Sequence, residues 1–406
     1  MKCGLLGEKL GHSYSPQIHA ELADYEYLLY EKTPDTVEHF VRNGGWHGLN
    51  VTIPYKKTVI PFCDELSEMA AAIGSVNTLL RRPDGTIFGD NTDAFGFETL
   101  LTQTLPENIE GQKTLVLGTG GASVTVSAVL KKHGAEVVTI SRRGENNYEN
   151  LDRHADAKLL VNTTPVGMYP KNGLSPVDLS RFPTLRCVLD VVYNPARTAL
   201  LLQAEAYGIP HAGGLTMLVA QAKRSSEIFQ GKQLPGNEIP RITKLLSRSM
   251  QNIILVGMPG CGKTTIGALL AEQLGRPLLE ADAEIEKAAG ITIPTIFENE
   301  GEAGFRHRET ATLEELGKRS GAVISTGGGC VTRAENYPLL HQNGTIIWLK
   351  RDLNKLAREG RPLSLGADLS AMYAAREPLY ERFADFSVEN AGSPEETVDA
   401  ILEVLK

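Results

Sequence analysis

Residues 255–267 read LVGMPGCGKTTIG, and residues 115–124 read LVLGTGGASV. Each is an apolar run of strand character that breaks into glycines and resumes with helical periodicity. The two loops differ in design. GMPGCGKT fits the spacing G-x-x-x-x-G-K-[ST] from Gly257 to Thr264. In that pattern the backbone N–H groups of Gly260, Cys261, Gly262 and Lys263 cradle phosphate, the Lys263 ammonium neutralises the β and γ oxygens, and the Thr264 hydroxyl ligates Mg2+, with Thr265 next on the helix. GTGGAS, comprising Gly118, Thr119, Gly120, Gly121, Ala122 and Ser123, instead suits a pyrophosphate at a helix N-terminus. One chain therefore carries a loop for a dinucleotide and a loop for a triphosphate.

Working outward from the earlier loop, residues 114–143 form a βαβ pattern: an apolar strand, a glycine turn, an amphipathic helix closed by Gly134, and the strand AEVVTIS. LLVNTTPVG and CVLDVVYNP are further apolar runs ended by turn residues, the pattern of buried parallel strands with functional loops at their carboxyl ends. After AEVVTIS comes SRRGEN. An NAD site expects an acidic residue there for the ribose hydroxyls, whereas Ser141, Arg142 and Arg143 offer a hydroxyl and guanidinium forks to a 2'-phosphate. NADP(H) is the expected cofactor.

Around the later loop, NIILVG, AVISTGGG and GTIIWLK alternate with helical segments, a second α/β domain. The spacing places the boundary near Met250, with PRITKLLSRS as a helix that could bridge it. The expected division is 1–250, made of a substrate domain (1–93 and 215–248) and a Rossmann domain (94–214), followed by 251–406.

Composition narrows the partners. With 406 residues and a net charge of -8, the chain has no electrostatic footprint for nucleic acid or an anionic membrane. The opening MKCGLLGEKLGHSYSP lacks an apolar signal core, and no apolar run approaches the roughly 20 residues that span a bilayer. The five cysteines are far apart and form no C-x-x-C pair, which argues against a zinc cluster or disulfide framework. Small-molecule substrates and a cytoplasmic location are expected, with the oligomeric state open.

Two polar constellations accompany the loops. In the first 93 residues, GEKLGHSYSPQIH supplies Ser13 and Ser15, GLNVTIPYKK supplies Asn50, Thr52 and Lys56, IGSVNTL supplies Asn77, and GDNTDAFG supplies Asp93. Hydroxyls and amides from separate loops suit a polyhydroxylated substrate. A lysine beside a carboxylate suits the proton that moves when a secondary alcohol is oxidised by hydride transfer. In the last third, LLEADAEIEK supplies Asp282, GEAGFRHRE supplies Arg306, STGGGC supplies Gly327, Gly328 and Gly329, and EGRPLS and AAREPLYE supply Arg361 and Arg376. Arginines from separate segments can converge on a substrate carboxylate and on transferred charge.

The segments GHSYSP, NVTIPYK, IGSVNTL, GDNTDAFG, GTGGAS, NTTPVGM, VVYNPARTALL and GGLTMLVAQA, in this order, make residues 1 to about 248 resemble shikimate dehydrogenase. The resemblance implies NADP-linked reduction of 3-dehydroshikimate to shikimate, with Lys56 and Asp93 as the catalytic pair. It also implies Ser13, Ser15, Asn50, Thr52, Asn77, Tyr193 and Gln221 around the substrate, and Thr163, Val191, Gly214 and Met217 beside the cofactor. A quinate-accepting, NAD-using relative is the alternative within that superfamily. No acidic residue directly follows Arg143, which argues against it.

Residues 251–406 resemble shikimate kinase, a P-loop α/β/α fold of the nucleoside-monophosphate-kinase kind. That resemblance implies ATP and Mg2+, with Asp282 on the shikimate hydroxyls, Arg306 and Arg376 on its carboxylate, Gly328 and Gly329 against the substrate, and Arg361 on the phosphates from a lid. Where the family usually has D-x-D this chain reads EAD, with Glu280 first, and only Glu359 and Gly360 separate Arg358 from Arg361. The expectation is a bifunctional enzyme catalysing consecutive steps. Its rivals are a chain with one half silent and serving as a regulatory or scaffolding module, and a kinase half that phosphorylates another small acceptor.

Overall fold

The structure is a computed structural model and describes residues 1–11, 13–356 and 368–406. It divides into two compact units, one of Met1–Gly167, Leu174–Tyr193 and Leu200–Leu246, the other of Met168–Gly173, Asn194–Ala199 and Ser247–Lys406. The change from Leu246 to Ser247 falls inside the helix Glu238–Met250.

The first unit holds two sheets. One contains β1 (Lys2–Gly7), β2 (Glu26–Glu31), β3 (Gly48–Val51), β4 (Glu65–Leu66), β5 (Thr78–Arg81) and β6 (Ile87–Asp90), in the order β2-β1-β3-β5-β6-β4. It is mixed: β1 runs parallel to β2 and β3, β5 runs antiparallel to β3 and β6, and β4 pairs parallel with β6. Leu6, Trp46, Leu49, Val51, Tyr55 and Leu79 fill its core. The other sheet contains β7 (Lys113–Leu117), β8 (Glu136–Ile140), β9 (Leu159–Asn162), β10 (Cys187–Asp190) and β11 (His211–Ala212), all parallel, in the order β11-β10-β9-β7-β8.

Alternation explains why its strands read as unbroken apolar runs. Val116, Val161 and Leu189 pack on one face with Phe97 and Val126, while Leu115, Leu117, Leu160 and Val188 pack on the other with Leu200 and Leu201. The chain crosses from β8 on one side of β7 to β9 on the other, so the crevice at the carboxyl end of β7 is a topological switch point, and the loop at Gly118 occupies it. Helix Thr92–Thr104 packs against helix Leu215–Gln230. Gly96 permits the close approach, because a Cβ there would stand 2.6 Å from the Met217 carbonyl oxygen.

The second unit is a parallel sheet of β12 (Asn252–Val256), β13 (Leu278–Glu280), β14 (Val323–Ser325), β15 (Gly344–Lys350) and β16 (Phe386–Glu389), in the order β13-β14-β12-β15-β16. Ile253 to Val256 and Ile346 to Leu349 form the centre of its core, covered by Ile266, Leu270, Val398 and Ile401 from helices. Central β12 again feeds a glycine loop at a switch point, followed by helix Lys263–Leu274. The residues Ile293–Gly317 are two helical pieces joined at Gly301, whose φ of 67° glycine tolerates. No helix among the described residues is long and apolar enough to cross a membrane.

Candidate active sites

In the first unit, the buried Tyr55 ring, whose hydroxyl donates to the Lys32 carbonyl, anchors the turn after β3. Its neighbour Lys56 extends outward, and its Nζ lies 2.6 Å from Oδ2 of Asp93. Asp93 sits in the first turn of helix Thr92–Thr104, where the helix dipole favours a carboxylate. The side chains keep 27% and 15% of their exposure, so the pair is shielded yet reachable by a ligand.

Asn50, Asn77 and Gln221 meet in a buried polar cluster beside this pair. Asn50 accepts from the Tyr27 hydroxyl at 2.8 Å and donates to Ser225 Oγ at 2.6 Å. Asn77 Oδ1 accepts from the Thr92 N–H at 2.7 Å, and Asn77 Nδ2 stands 3.5 Å from Gln221 Oε1. Ser13 Oγ accepts from the Ser15 N–H at 3.2 Å in the turn that opens helix Ser15–Leu22. Thr52 lies two residues beyond Asn50, its N–H bonded to the Leu6 carbonyl at 2.9 Å. Tyr193, at the carboxyl side of β10, meets Tyr14 edge to face with ring centroids 6.1 Å apart, and burial raises both phenol pKa values. Thr92, Thr78, Ser225 and Tyr14 join these residues although the sequence around them carries no separate chemical signature. Thr78 and Thr92 lie within the quoted VNTL and DNTD, whereas nothing in AKRSSEIFQ marks Ser225 as buried.

At the glycine loop, Gly118 has φ of +107° and a Cβ there would strike Thr164, so glycine is required by both conformation and space. Gly120 and Gly121 face open space at the start of helix Gly121–Lys132, leaving the helix N-terminus approachable by a pyrophosphate. Ser123 Oγ donates to the Gly118 carbonyl at 2.7 Å and Thr163 Oγ1 to the Leu117 carbonyl at 2.6 Å, so both hydroxyls brace the loop. Val191 and Gly214 pass so closely that a Cβ on Gly214 would stand 2.1 Å from the Val191 oxygen. Met217 is buried under them in the core, and Thr119 and Ala122 complete the loop. Ser141 Oγ donates to the Arg143 carbonyl at 2.9 Å, while Arg142 and Arg143 are exposed at the end of β8. Open glycines and paired guanidinium groups fit a phosphorylated dinucleotide.

In the second unit a cavity of about 490 Å3 joins the phosphate loop to the acceptor residues. Gly257, Gly260 and Gly262 have φ of 147°, 83° and 103°, positive values that favour glycine at each of these positions of the loop. Lys263 is buried and donates to the carbonyls of Gly257 at 2.9 Å and Met258 at 3.1 Å, and Asn390 donates to the Cys261 carbonyl at 2.7 Å. Thr264 Oγ1 lies 3.5 Å from Glu280 Oε2, a pair of hard oxygen donors that suits Mg2+, and Thr265 is exposed beside them. Asp282, Arg306 and Arg376 line the same cavity.

Arg306 is held by Glu309 at 2.8 Å and Glu302 at 3.2 Å, and Arg376 donates to the Gly328 carbonyl at 3.2 Å. Gly328 and Gly329 have no room for a side chain: a Cβ would meet Pro259 at 2.6 Å and the Arg306 guanidinium at 2.2 Å. Glu309 is fully buried. Burial, with the Asp282 charge adding, pushes its carboxyl above the ordinary range, and Arg306 and Arg376 oppose. Arg358 and Arg361 lie outside the described residues.

A family model described as shikimate dehydrogenase substrate binding domain matches residues 5–79, and one described as shikimate kinase matches residues 259–406. The shikimate dehydrogenase (NADP(+)) of Clostridium perfringens strain SM101 is 37% identical over 250 residues, covering 56% of this chain and 92% of that protein. A chorismate mutase/shikimate 5-dehydrogenase fusion from Clostridium acetobutylicum is 35% identical with a TM-score of 0.57, over 60% of this chain and 96% of that one. The shikimate 5-dehydrogenase of Thermus thermophilus, solved with NADP(H) and shikimate, is 28% identical with a TM-score of 0.55, over 60% of this chain and 99% of that one.

Proposed function

This chain belongs to the shikimate dehydrogenase family and carries a shikimate kinase domain behind it, and we propose that its two sites catalyse consecutive steps. The first reduces 3-dehydroshikimate to shikimate with NADPH. The second phosphorylates shikimate on its 3-hydroxyl with ATP and Mg2+. The working division is residues 1–250 for the dehydrogenase and 251–406 for the kinase, and the chain acts on small molecules in the cytoplasm.

Bound NADPH supplies a hydride and bound ATP a phosphoryl group; the rest falls to this chain's residues. The observation that carries the reading is the shielded Lys56–Asp93 contact of 2.6 Å, next in the chain to Thr92, whose N–H binds Asn77, in the same chain as a phosphate loop whose cavity also holds Asp282, Arg306 and Arg376. In the reducing direction Lys56 gives a proton to the oxygen that becomes the alcohol, while Asp93 orients it. The amides of Asn77 and Gln221 address substrate hydroxyls, with Ser13, Ser15, Thr52 and Tyr193 completing the pocket. In the kinase, Asp282 orients the attacking hydroxyl and Arg306 and Arg376 hold the carboxylate. Lys263 and Arg361 meet the phosphates, and Thr264, aided by Glu280, holds the metal.

The test separates the sites. Lys56→Ala lowers dehydrogenase turnover by about a hundredfold or more and leaves shikimate phosphorylation intact. Lys263→Ala lowers phosphorylation by about a hundred- to a thousandfold and leaves the dehydrogenase intact. Loss of both activities from either change in a folded protein contradicts the two-site reading. A kinase half that ignores shikimate while phosphorylating another small acceptor contradicts the assigned substrate.

A further inference from the structure

The cluster beneath the dehydrogenase pair contains more hydroxyls than substrate binding uses, and counting their protons shows what they do. Ser225 Oγ donates to the Gln221 carbonyl one helical turn back, at 2.9 Å. Its single proton is then committed, so towards Asn50 Nδ2, 2.6 Å away, it accepts. That fixes the Asn50 amide with its nitrogen inward and its oxygen on the Tyr27 hydroxyl at 2.8 Å. Thr78 donates to Asn77 Oδ1 at 3.0 Å, and the Thr92 N–H donates to the same oxygen at 2.7 Å. Asn77 Oδ1 is saturated, and the Asn77 NH2 faces Gln221.

The Thr92 hydroxyl stands 3.0 Å from Ser225 Oγ, 3.1 Å from Thr78 Oγ1, 3.2 Å from Asn77 Oδ1 and 3.5 Å from Gln221 Oε1, so it ties both hydroxyls to the two amides. Ser225 and Thr78 are fully buried, Thr92 retains 1% exposure and Asn77 3%, so these groups bond to one another and not to solvent. The cluster joins β3, β5, the first residue of helix Thr92–Thr104 and helix Leu215–Gln230.

From this geometry we infer that the buried hydroxyls of Ser225 and Thr78 are positioning residues for the dehydrogenase. Thr78 sets the orientation of the Asn77 amide and Ser225 that of the Asn50 amide, and both hydroxyls meet Thr92 at the start of the helix that carries Asp93. The inference rests on the dehydrogenase reading above. Neither residue touches substrate. Each acts by holding groups that do.

The test is steady-state kinetics on the full chain. Thr78→Val keeps the shape of the side chain and removes the hydroxyl, while Thr78→Ser keeps the hydroxyl. The expected result is a rise of about tenfold in KM for 3-dehydroshikimate with Thr78→Val and with Ser225→Ala, an unchanged KM for NADPH, and near-native values for Thr78→Ser. Because the two hydroxyls serve one network, the Thr78→Val/Ser225→Ala double variant raises KM by less than the product of the single effects. A native KM in Thr78→Val, equal rises for both substrates, or multiplicative single effects would overturn the inference. A native chain that does not reduce 3-dehydroshikimate instead overturns the reading beneath it.

Discussion

His19 shows how a residue behind the site sets a condition for stability. Its ring stacks on Tyr27 with centroids 4.0 Å apart, its Nδ1 pairs with the Tyr25 hydroxyl at 2.6 Å, and it retains 1% exposure. Burial pulls its pKa down to about 3, with Asn50 opposing. The folded chain thus refuses a proton that the unfolded chain takes up below about pH 6.5. Stability is fully present above that pH and falls on acidification, at up to about 1.4 kcal/mol per pH unit. Native-state hydrogen exchange over residues 15–31 between pH 6.5 and 5 is expected to show this slope, and His19→Gln to flatten it. An unchanged slope in His19→Gln assigns the titration elsewhere. At this scale the sequence exposed Lys56 and Asp93, because their neighbours are turns, but not His19 or Ser225. A buried polar group inside an amphipathic helix has the same local spacing as an exposed one, and only the strand packed on it decides which it is.

Among the elements, the strand-turn-helix units around Gly118 and Gly257 were the most legible. Their strands are covered on both faces, so Leu115–Leu117 and Ile253–Val256 are unbroken apolar runs, and the φ values of the loops demand glycine. The mixed sheet of the first unit was not legible as a sheet, and neither were β13 and β16. β2 is an edge strand whose EYLLYE leaves four of six residues exposed, and β16 buries only Val388, so neither shows the clean alternation of a half-buried strand. A prediction belongs to the end of β8. Arg142 and Arg143 are exposed at the end of β8, and the proposed reading assigns them to the ribose phosphate, where a charged hydrogen bond is worth about 1.5–3 kcal/mol. Arg142→Ala/Arg143→Ala is therefore expected to raise KM for NADPH by at least about tenfold and to leave KM for NADH nearly unchanged. Equal rises for both cofactors contradict the assignment of these arginines to the phosphate.

For the whole molecule, two glycine loops mean two donors, one of hydride and one of phosphoryl, and the product of the first reaction is the acceptor of the second. Each unit has its own core and its own switch-point crevice. The kinase half departs from its family at Glu280, whose carboxylate nevertheless lies 3.5 Å from the Thr264 hydroxyl. The measurement that tests the central claim most directly gives the full chain 3-dehydroshikimate as its only acceptor, with ATP and Mg2+, and follows NADPH loss and ADP release together. ADP release is expected to begin only once NADPH is added and to approach one ADP per NADPH consumed. NADPH oxidation without ADP release, or ADP release that does not depend on NADPH, would contradict two consecutive activities in one chain.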